Sequence, residues 1–261
     1  VNHLSEKRMI EGRQSVLEAL RSGVAVSKVL LQKGTGGRPV EEVLNLARQN
    51  SVPVTWLDKD AFSHRSVSRN HQGVMAEAAP FRYAGFHDLL SGRVGEKPFL
   101  LVLDHIQDPH NLGALLRSAY AAGCHGVVIP ERRAAQVTPA VEKAAAGSAA
   151  LIPVARVVNI TRCLEECKEA GLWVYGADMA GESLYTEADY RGGTALVIGG
   201  EGDGLSRLVR EKCDSLVRLP MKGRLASLNA SVAGALLLYE VYRQRDGLVS
   251  KVLDASRNGK I

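Results

Sequence analysis

The chain has 261 residues, 46% of them hydrophobic, enough to bury a sizeable core in one large domain or two smaller ones. Its formal net charge of +5 permits an anionic partner without requiring one, because the basic residues are spread along the chain. No apolar run approaches a membrane span and the first residues, VNHLSEKRMIEGRQ, lack an apolar signal core, so a soluble, cytoplasmic protein is expected.

Residues 12–23 and 39–50 place apolar side chains at spacings of three and four and predict helices, with a further short helix near Asp60. Residues 27–32, 53–57 and 73–78 are short β-branched runs bounded by Gly, Pro and Asn and predict strands. Together they describe a small α/β domain over residues 1–78. The next stretch, APFRYAGFHDLLSGRVGEKP, loses both patterns and collects Gly, Pro and charge, so a linker is placed at 79–97.

From Phe99 the pattern sharpens. Strands are predicted at 99–104, 126–130, 151–156, 172–178, 194–200 and 216–220. Helices are predicted after Asn111, over 139–147, 161–171 and 206–213, and from about Ser227 to Gln244. Near-continuous apolar strands alternating with helices predict a parallel sheet covered on both faces, in a second domain over 98–248 with a basic tail at 249–261. Ligands of such sheets sit beyond the carboxyl ends of the strands. Three polar loops fall at that edge: DHIQDPHN (104–111), GGEGDGLS (199–206) and PMKGRLASLN (220–229). The cysteines, Cys124, Cys163, Cys167 and Cys213, show no paired Cys-x-x-Cys spacing, and Cys163 and Cys167 are expected as buried thiols on one helix.

Each loop has more than one reading. In the first, Asp104, His105, Asp108 and His110 offer oxygen and nitrogen ligands for a metal; Asn111 suits a helix N-cap, and Arg117 lies one turn into the helix. The second follows a strand, but its glycines at 199, 200, 202 and 204 do not give the dinucleotide order G-x-G-x-x-G. What remains is a turn where backbone approaches something closely, with the carboxylate of Glu201 in it. The third offers Ser227 and Asn229 as capping residues, and Ala226, Ala230 and Gly234 recur every four residues as a face for close packing. Arg65 and Arg69, Arg132 and Arg133, and Lys222 and Arg224 are small basic clusters, readable as nucleic-acid contacts or as solvated surface.

Taken together, DPHNLGALLRSAYAAG, GGEGDGLSRL and LPMKGRLASLNASVAGA resemble, in order and spacing, the three motifs of the SpoU/TrmH family of RNA ribose 2′-O-methyltransferases. The resemblance covers nearly the whole chain, and is greatest to the bacterial enzymes that methylate a guanosine ribose in the peptidyl-transferase region of 23S rRNA. It implies an α/β fold of two parts: a C-terminal parallel-sheet SPOUT domain with a deep trefoil knot, and a small N-terminal L30e-like domain that binds RNA. It implies S-adenosylmethionine as cofactor, held at Gly199, Gly200, Leu219, Met221 and Leu228, and no metal. Asn111, Arg117, Glu201, Ser227 and Asn229 are then the catalytic edge, and Arg65, Arg69, Arg132, Arg133, Lys222 and Arg224 the RNA contacts. It also implies a homodimer whose active site draws on both chains, and the small-residue face of the last helix suits such contact. Ala230 stands where the third motif often has valine, a conservative departure. The family assigns the proton acceptor to the arginine matching Arg117, yet a guanidinium stays protonated in almost any setting. Arg117 therefore either belongs to an unusual proton path or orients the ribose and phosphate. Other readings are a tRNA 2′-O-methyltransferase, a catalytically silent RNA-binding protein, and a metal hydrolase built on the first loop.

Overall fold

The computed structural model describes residues 8–21, 24–66, 71–202, 204–222 and 227–246. Its first elements are β1 (Arg8–Glu11), α1 (Arg13–Arg21), β2 (Val26–Gln32), α2 (Arg38–Gln49), β3 (Val54–Leu57), α3 (Lys59–Ser63) and β4 (Val74–Ala78). In α2, Pro39 stands in the first turn, where its missing N–H costs no hydrogen bond, and Val40, Val43 and Ala47 form the buried stripe. The strands form one mixed sheet, ordered β1-β4-β2-β3, with β2 and β3 parallel and the other pairs antiparallel. β4 is central and buried along its whole length, including Glu77, whose carboxylate faces Arg65 at 3.6 Å.

The chain then forms α4 (Phe86–Leu90), β5 (Phe99–Asp104), α5 (Pro109–Ala121), β6 (Gly126–Pro130), α6 (Pro139–Ala144), a single 3₁₀ turn at Ser148–Ala150, and β7 (Val154–Val157). It continues through α7 (Ile160–Glu169), β8 (Trp173–Ala177), β9 (Ser183–Leu184), β10 (Thr194–Gly199), α8 (Arg207–Lys212), β11 (Ser215–Arg218) and α9 (Ala230–Arg245). Here the sheet is seven-stranded and wholly parallel, ordered β7-β6-β5-β10-β8-β11-β9. Every residue of β5, β6 and β10 is buried, as expected of strands covered on both faces. After β11, which lies next to the edge strand β9, the chain returns to α9, which packs on α5 and β10 in the middle of the sheet.

By contacts the chain divides into two compact units, Val1–Arg82 with Val137–Ala150, and Tyr83–Gln136 with Leu151–Ile261. The expected linker at 79–97 thus contains structure of the second unit: Phe86 and Leu89 of α4 are buried in its core, and Ala84 bridges to Ala155. The segment 137–150 groups with the first unit, where Glu142 pairs with Arg8 at 2.8 Å, although the alternation of strands and helices placed it in a domain over 98–248.

The predicted buried stripe of α5, Leu112, Leu115, Leu116 and Ala119, is fully excluded from solvent, worth roughly 1.5–3 kcal/mol for each leucine. The small-residue face of α9 is used within the chain. A Cβ on Gly234 would fall 2.3 Å from Leu115 Cδ2, so glycine lets α9 settle onto α5. Cys163 and Cys167 are buried as expected, and the mutual hydrogen bond with Cys167, together with burial, raises the Cys163 thiol well above its ordinary value.

Candidate active site

Sheet register builds the site. Gly199, the last residue of β10, lies opposite Asp104, the last of β5, so the first and second loops leave the sheet side by side. Asp104 is fully buried, and its Oδ2 accepts from the backbone N–H of Ser206 at 2.7 Å while Oδ1 meets Nδ1 of His105. This fastens the two loops to each other.

α5 is capped by Asp108, which accepts from the His110 N–H at 2.9 Å, with Pro109 in the first turn. This corrects the expectation for Asn111. The helix begins at Pro109, three residues earlier than a cap at Asn111 would place it, and Asn111 lies inside its first turn, buried. There its amide donates to Glu201 Oε1 and its Oδ1 accepts from Asn229 Nδ2 at 3.0 Å. Asn229 is the true N-cap of α9, accepting from the N–H groups of Ser231 and Val232 at 2.9 and 3.3 Å. Ser227 precedes the helix and does not cap it.

Two clefts flank Glu201. The first, about 470 Å³, opens beyond the carboxyl ends of β8, β10 and β11. It is lined by Gly199, Gly200, Leu219, Met221 and Leu228, by Glu201, Ser227 and Asn229, and by residues of the β8 edge. Gly199 is required by close approach: a Cβ there would lie 2.1 Å from the carbonyl carbon of Gly204. The second cleft, about 520 Å³, is lined by His105, Gln107, Asp108, Asn111, Gly200, Glu201, Gly204 and Ser206.

Arg117 lines neither cleft. It is exposed on α5, and no described residue pairs with it. Arg132, Arg133 and Lys222 are exposed, while Arg65 faces Glu77. Arg69 and Arg224 lie outside the described residues, as does Ala226. Sequence reasoning missed Asp178, Met179 and Arg210, which also line the first cleft. Asp178 accepts from Arg210 Nε and from the Ala180 N–H, both at 2.8 Å. The signal was present, since Asp178 follows a strand at the same sheet edge as the three loops. Among the described residues no group of three or more His, Cys, Asp or Glu side chains is placed to hold a metal, and no helix is long and apolar enough to cross a membrane.

Comparison with known families decides what these loops belong to. Residues 98–239 match the SpoU rRNA Methylase family, and residues 9–84 match the family described as RNA 2′-O ribose methyltransferase substrate binding. This chain belongs to the SpoU/TrmH family of RNA methyltransferases. Among SpoU/TrmH relatives, YacO of Bacillus subtilis, named as a TrmH family tRNA/rRNA methyltransferase, is 44% identical over 237 residues, 90% of this chain and 95% of its own. A protein of the same description from Staphylococcus saprophyticus is 41% identical, over 94% of this chain and 99% of its own. Among solved SpoU/TrmH structures, the SpoU methyltransferase AviRb from Streptomyces viridochromogenes, in complex with the cofactor AdoMet, superimposes with a TM-score of 0.74 at 26% identity, over 91% of this chain and 90% of its own. The AdoMet-bound rRNA methyltransferase from Sinorhizobium meliloti gives 0.68 at 28% identity, over 91% and 87%. The expected parallel-sheet methyltransferase domain with an N-terminal substrate-binding domain is therefore the fold of this chain.

Proposed function

We propose that this SpoU/TrmH protein methylates a ribose 2′-hydroxyl of RNA with S-adenosylmethionine, acting on a guanosine in the peptidyl-transferase region of 23S rRNA. The observation that carries the chemistry is the Glu201–Asn111–Asn229 chain, which joins all three loops where the two clefts meet. S-adenosylmethionine supplies an electrophilic methyl group on a sulfonium. The first cleft suits it: its volume of about 470 Å³ lies in the roughly 300–1,000 Å³ range of small-molecule sites, and Gly199 and Gly200 line it. The second cleft shares Gly200 and Glu201 with it and would take the ribose. Charge is neutralised along a methyl transfer, so alignment of hydroxyl and methyl carries much of the rate, and a rigid junction between two pockets supplies it.

In this reading Arg117 orients the ribose and its phosphate, because a guanidinium offers five donors and gives up none of its protons. The first domain reads the RNA, and Arg65, Arg69, Arg132, Arg133, Lys222 and Arg224 meet its phosphates. The protein works as a cytoplasmic homodimer. Val232, Leu236 and Tyr239, at spacings of four and three on α9, expose an apolar stripe that a second copy would cover. A trefoil knot belongs to the same reading, and the return of the chain from β11 to α9 over β10 supports it.

The test is to map 2′-O-methylation in rRNA and tRNA from a deletion strain, with and without complementation. Loss and restoration at one 23S guanosine is expected. A lost methyl group in tRNA would move the target there, and an unchanged map would leave a silent RNA-binding protein.

A further inference from the structure

We propose that Arg156, stacked on Tyr83, is a phosphate site for the RNA strand. The strand leaves the second cleft along the carboxyl edge of β5, β6 and β7, away from the first cleft; the path rests on the methyltransferase reading above. Sheet order sets its direction. The first cleft opens at the ends of β10, β8 and β11, whereas the second lies where β5 meets β10. On the far side of β5 come β6 and then β7. Neighbouring strands are roughly 4.8 Å apart, so both ends lie within about 10 Å of the end of β5.

Backbone bonds tie these ends together. The Ala135 N–H donates to the Ile106 carbonyl at 2.8 Å, between His105 and Gln107 of the second cleft, and the Glu131 N–H donates to the Val157 carbonyl at 2.9 Å. Gln136 Nε2 closes the turn onto the carbonyls of Pro130 and Ala134, at 2.9 and 3.3 Å. The turn of residues 131–136 is thereby held between the second cleft and β7. Arg132 and Arg133 are exposed on it, and Arg133 takes the left-handed conformation with φ at +58°. A non-glycine residue stays there only where its surroundings fix it.

Arg156 continues this row. It lies opposite Ile129 in the register of β6 and β7, one residue before Val157. Its guanidinium carbon is 4.1 Å from the centroid of the Tyr83 ring. The ring is kept beside β7 by Ala84, whose N–H donates to the Val154 carbonyl at 2.8 Å. Stacking occupies the face of a guanidinium and leaves its in-plane N–H groups for an acceptor. Arg156 is exposed, and no described carboxylate pairs with it, with Arg132 or with Arg133. Glu131 is the one acid in the turn. Three such cations, spread over two strand ends and leading out of a cleft, suit a polyanion that carries a phosphate at every step, rather than a single small anion.

Fluorescence anisotropy of the full chain over a series of KCl concentrations tests this, with an rRNA fragment spanning the peptidyl-transferase region and, separately, with tRNA. Arg156→Ala should reduce the slope of log affinity against log salt by about 0.7–0.9, the value of one phosphate contact. Calorimetric affinity for S-adenosylmethionine should stay at the wild-type value, since Arg156 lines neither cleft. Tyr83→Leu keeps the charge, so it should keep the slope and weaken binding by about 2- to 5-fold, the scale of a cation–π contact. Arg191→Ala is the control: that arginine precedes β10 at the opposite edge of the sheet and is already bonded to Asp189, so the slope should not change. An unchanged slope in Arg156→Ala overturns the site. So does an equal reduction in Arg191→Ala, which would report net charge alone. A wild-type protein that methylates no RNA overturns the methyltransferase reading and the path with it.

Discussion

Asn229 donates to Asn111 across 3.0 Å, so the cap of the last helix is bonded to the first turn of a helix 118 residues earlier in the chain. Asn111 extends the link to Glu201, and one buried amide thus holds three loops together. Asn111→Ala would leave Asn229 Nδ2 and Glu201 without this partner, and should destabilise the fold by about 1–3 kcal/mol. Asn229→Ala should cost about 1 kcal/mol through the lost cap. Because the two residues touch, urea unfolding of the double variant should show a coupling of about 0.5–3 kcal/mol. Strict additivity would mean that the bond contributes nothing.

Gly199→Ala should abolish cofactor binding while the secondary structure survives. The added methyl would meet the Gly204 carbonyl carbon at 2.1 Å and the Leu205 nitrogen at 2.4 Å, and backbone can move away only by distorting the second loop. Gly192→Ala, where a Cβ meets nothing within 4 Å, is the control. Calorimetric titration with S-adenosylmethionine should separate the two variants by at least tenfold in affinity, or about 1.4 kcal/mol.

Arg117 stands outside the first cleft, the one lined by Gly199 and Leu228. Arg117→Ala should therefore bind S-adenosylmethionine within a few fold of wild type and yet fail to methylate RNA. Arg117→Lys should be nearly as inactive, since an ammonium cannot reproduce the planar fork of a guanidinium. Tyr120→Phe, exposed on the same helix, should stay active. Normal single-turnover rates in Arg117→Ala would remove the arginine from the reaction.

Arg132 and Arg133 are exposed and adjacent in the turn after β6. Replacing both by alanine should reduce the slope of log affinity against log salt by about 1.4–1.8, since each phosphate contact contributes about 0.7–0.9. Arg65→Ala should matter less, because its guanidinium already faces Glu77. A slope that does not change would identify Arg132 and Arg133 as solvated surface.

His125 sets a pH limit on stability. It is buried, Nδ1 accepts from the Phe99 N–H at the start of β5 at 3.0 Å, and Nε2 meets Glu96 at 2.9 Å. Burial pushes the imidazole below its ordinary value, against the opposing pull of Glu96. The folded protein therefore keeps the neutral ring while the unfolded chain takes up a proton. This contribution is complete above about pH 6.5, the ordinary histidine value, and is lost as pH falls from there through the lowered value of the folded state. Thermal melting across that window should show the decline, and His125→Gln should flatten it.

The sequence by itself determined the strands of the parallel sheet, the buried stripe of α5 and the edge at which the loops gather. Those are properties of local periodicity and of strand chemistry, and Leu112, Leu115, Leu116 and Ala119 are buried as their spacing requires. It also carried the three motifs that mark the family. Tertiary structure alone decided what each polar residue does. Asn111 has the chemistry of a cap, but Pro109 and Asp108 start the helix three residues sooner, which leaves the amide for Glu201 and Asn229. Gly234 belongs to a face suited to a second chain, and packing assigns it to Leu115 of its own. Residues 137–150 read as one more helix of the parallel sheet, and the contacts of Glu142 with Arg8 place them with the first unit. Periodicity reports which face of an element is buried, whereas the partner that buries it is fixed by strand order and register, and those depend on residues far apart in the chain.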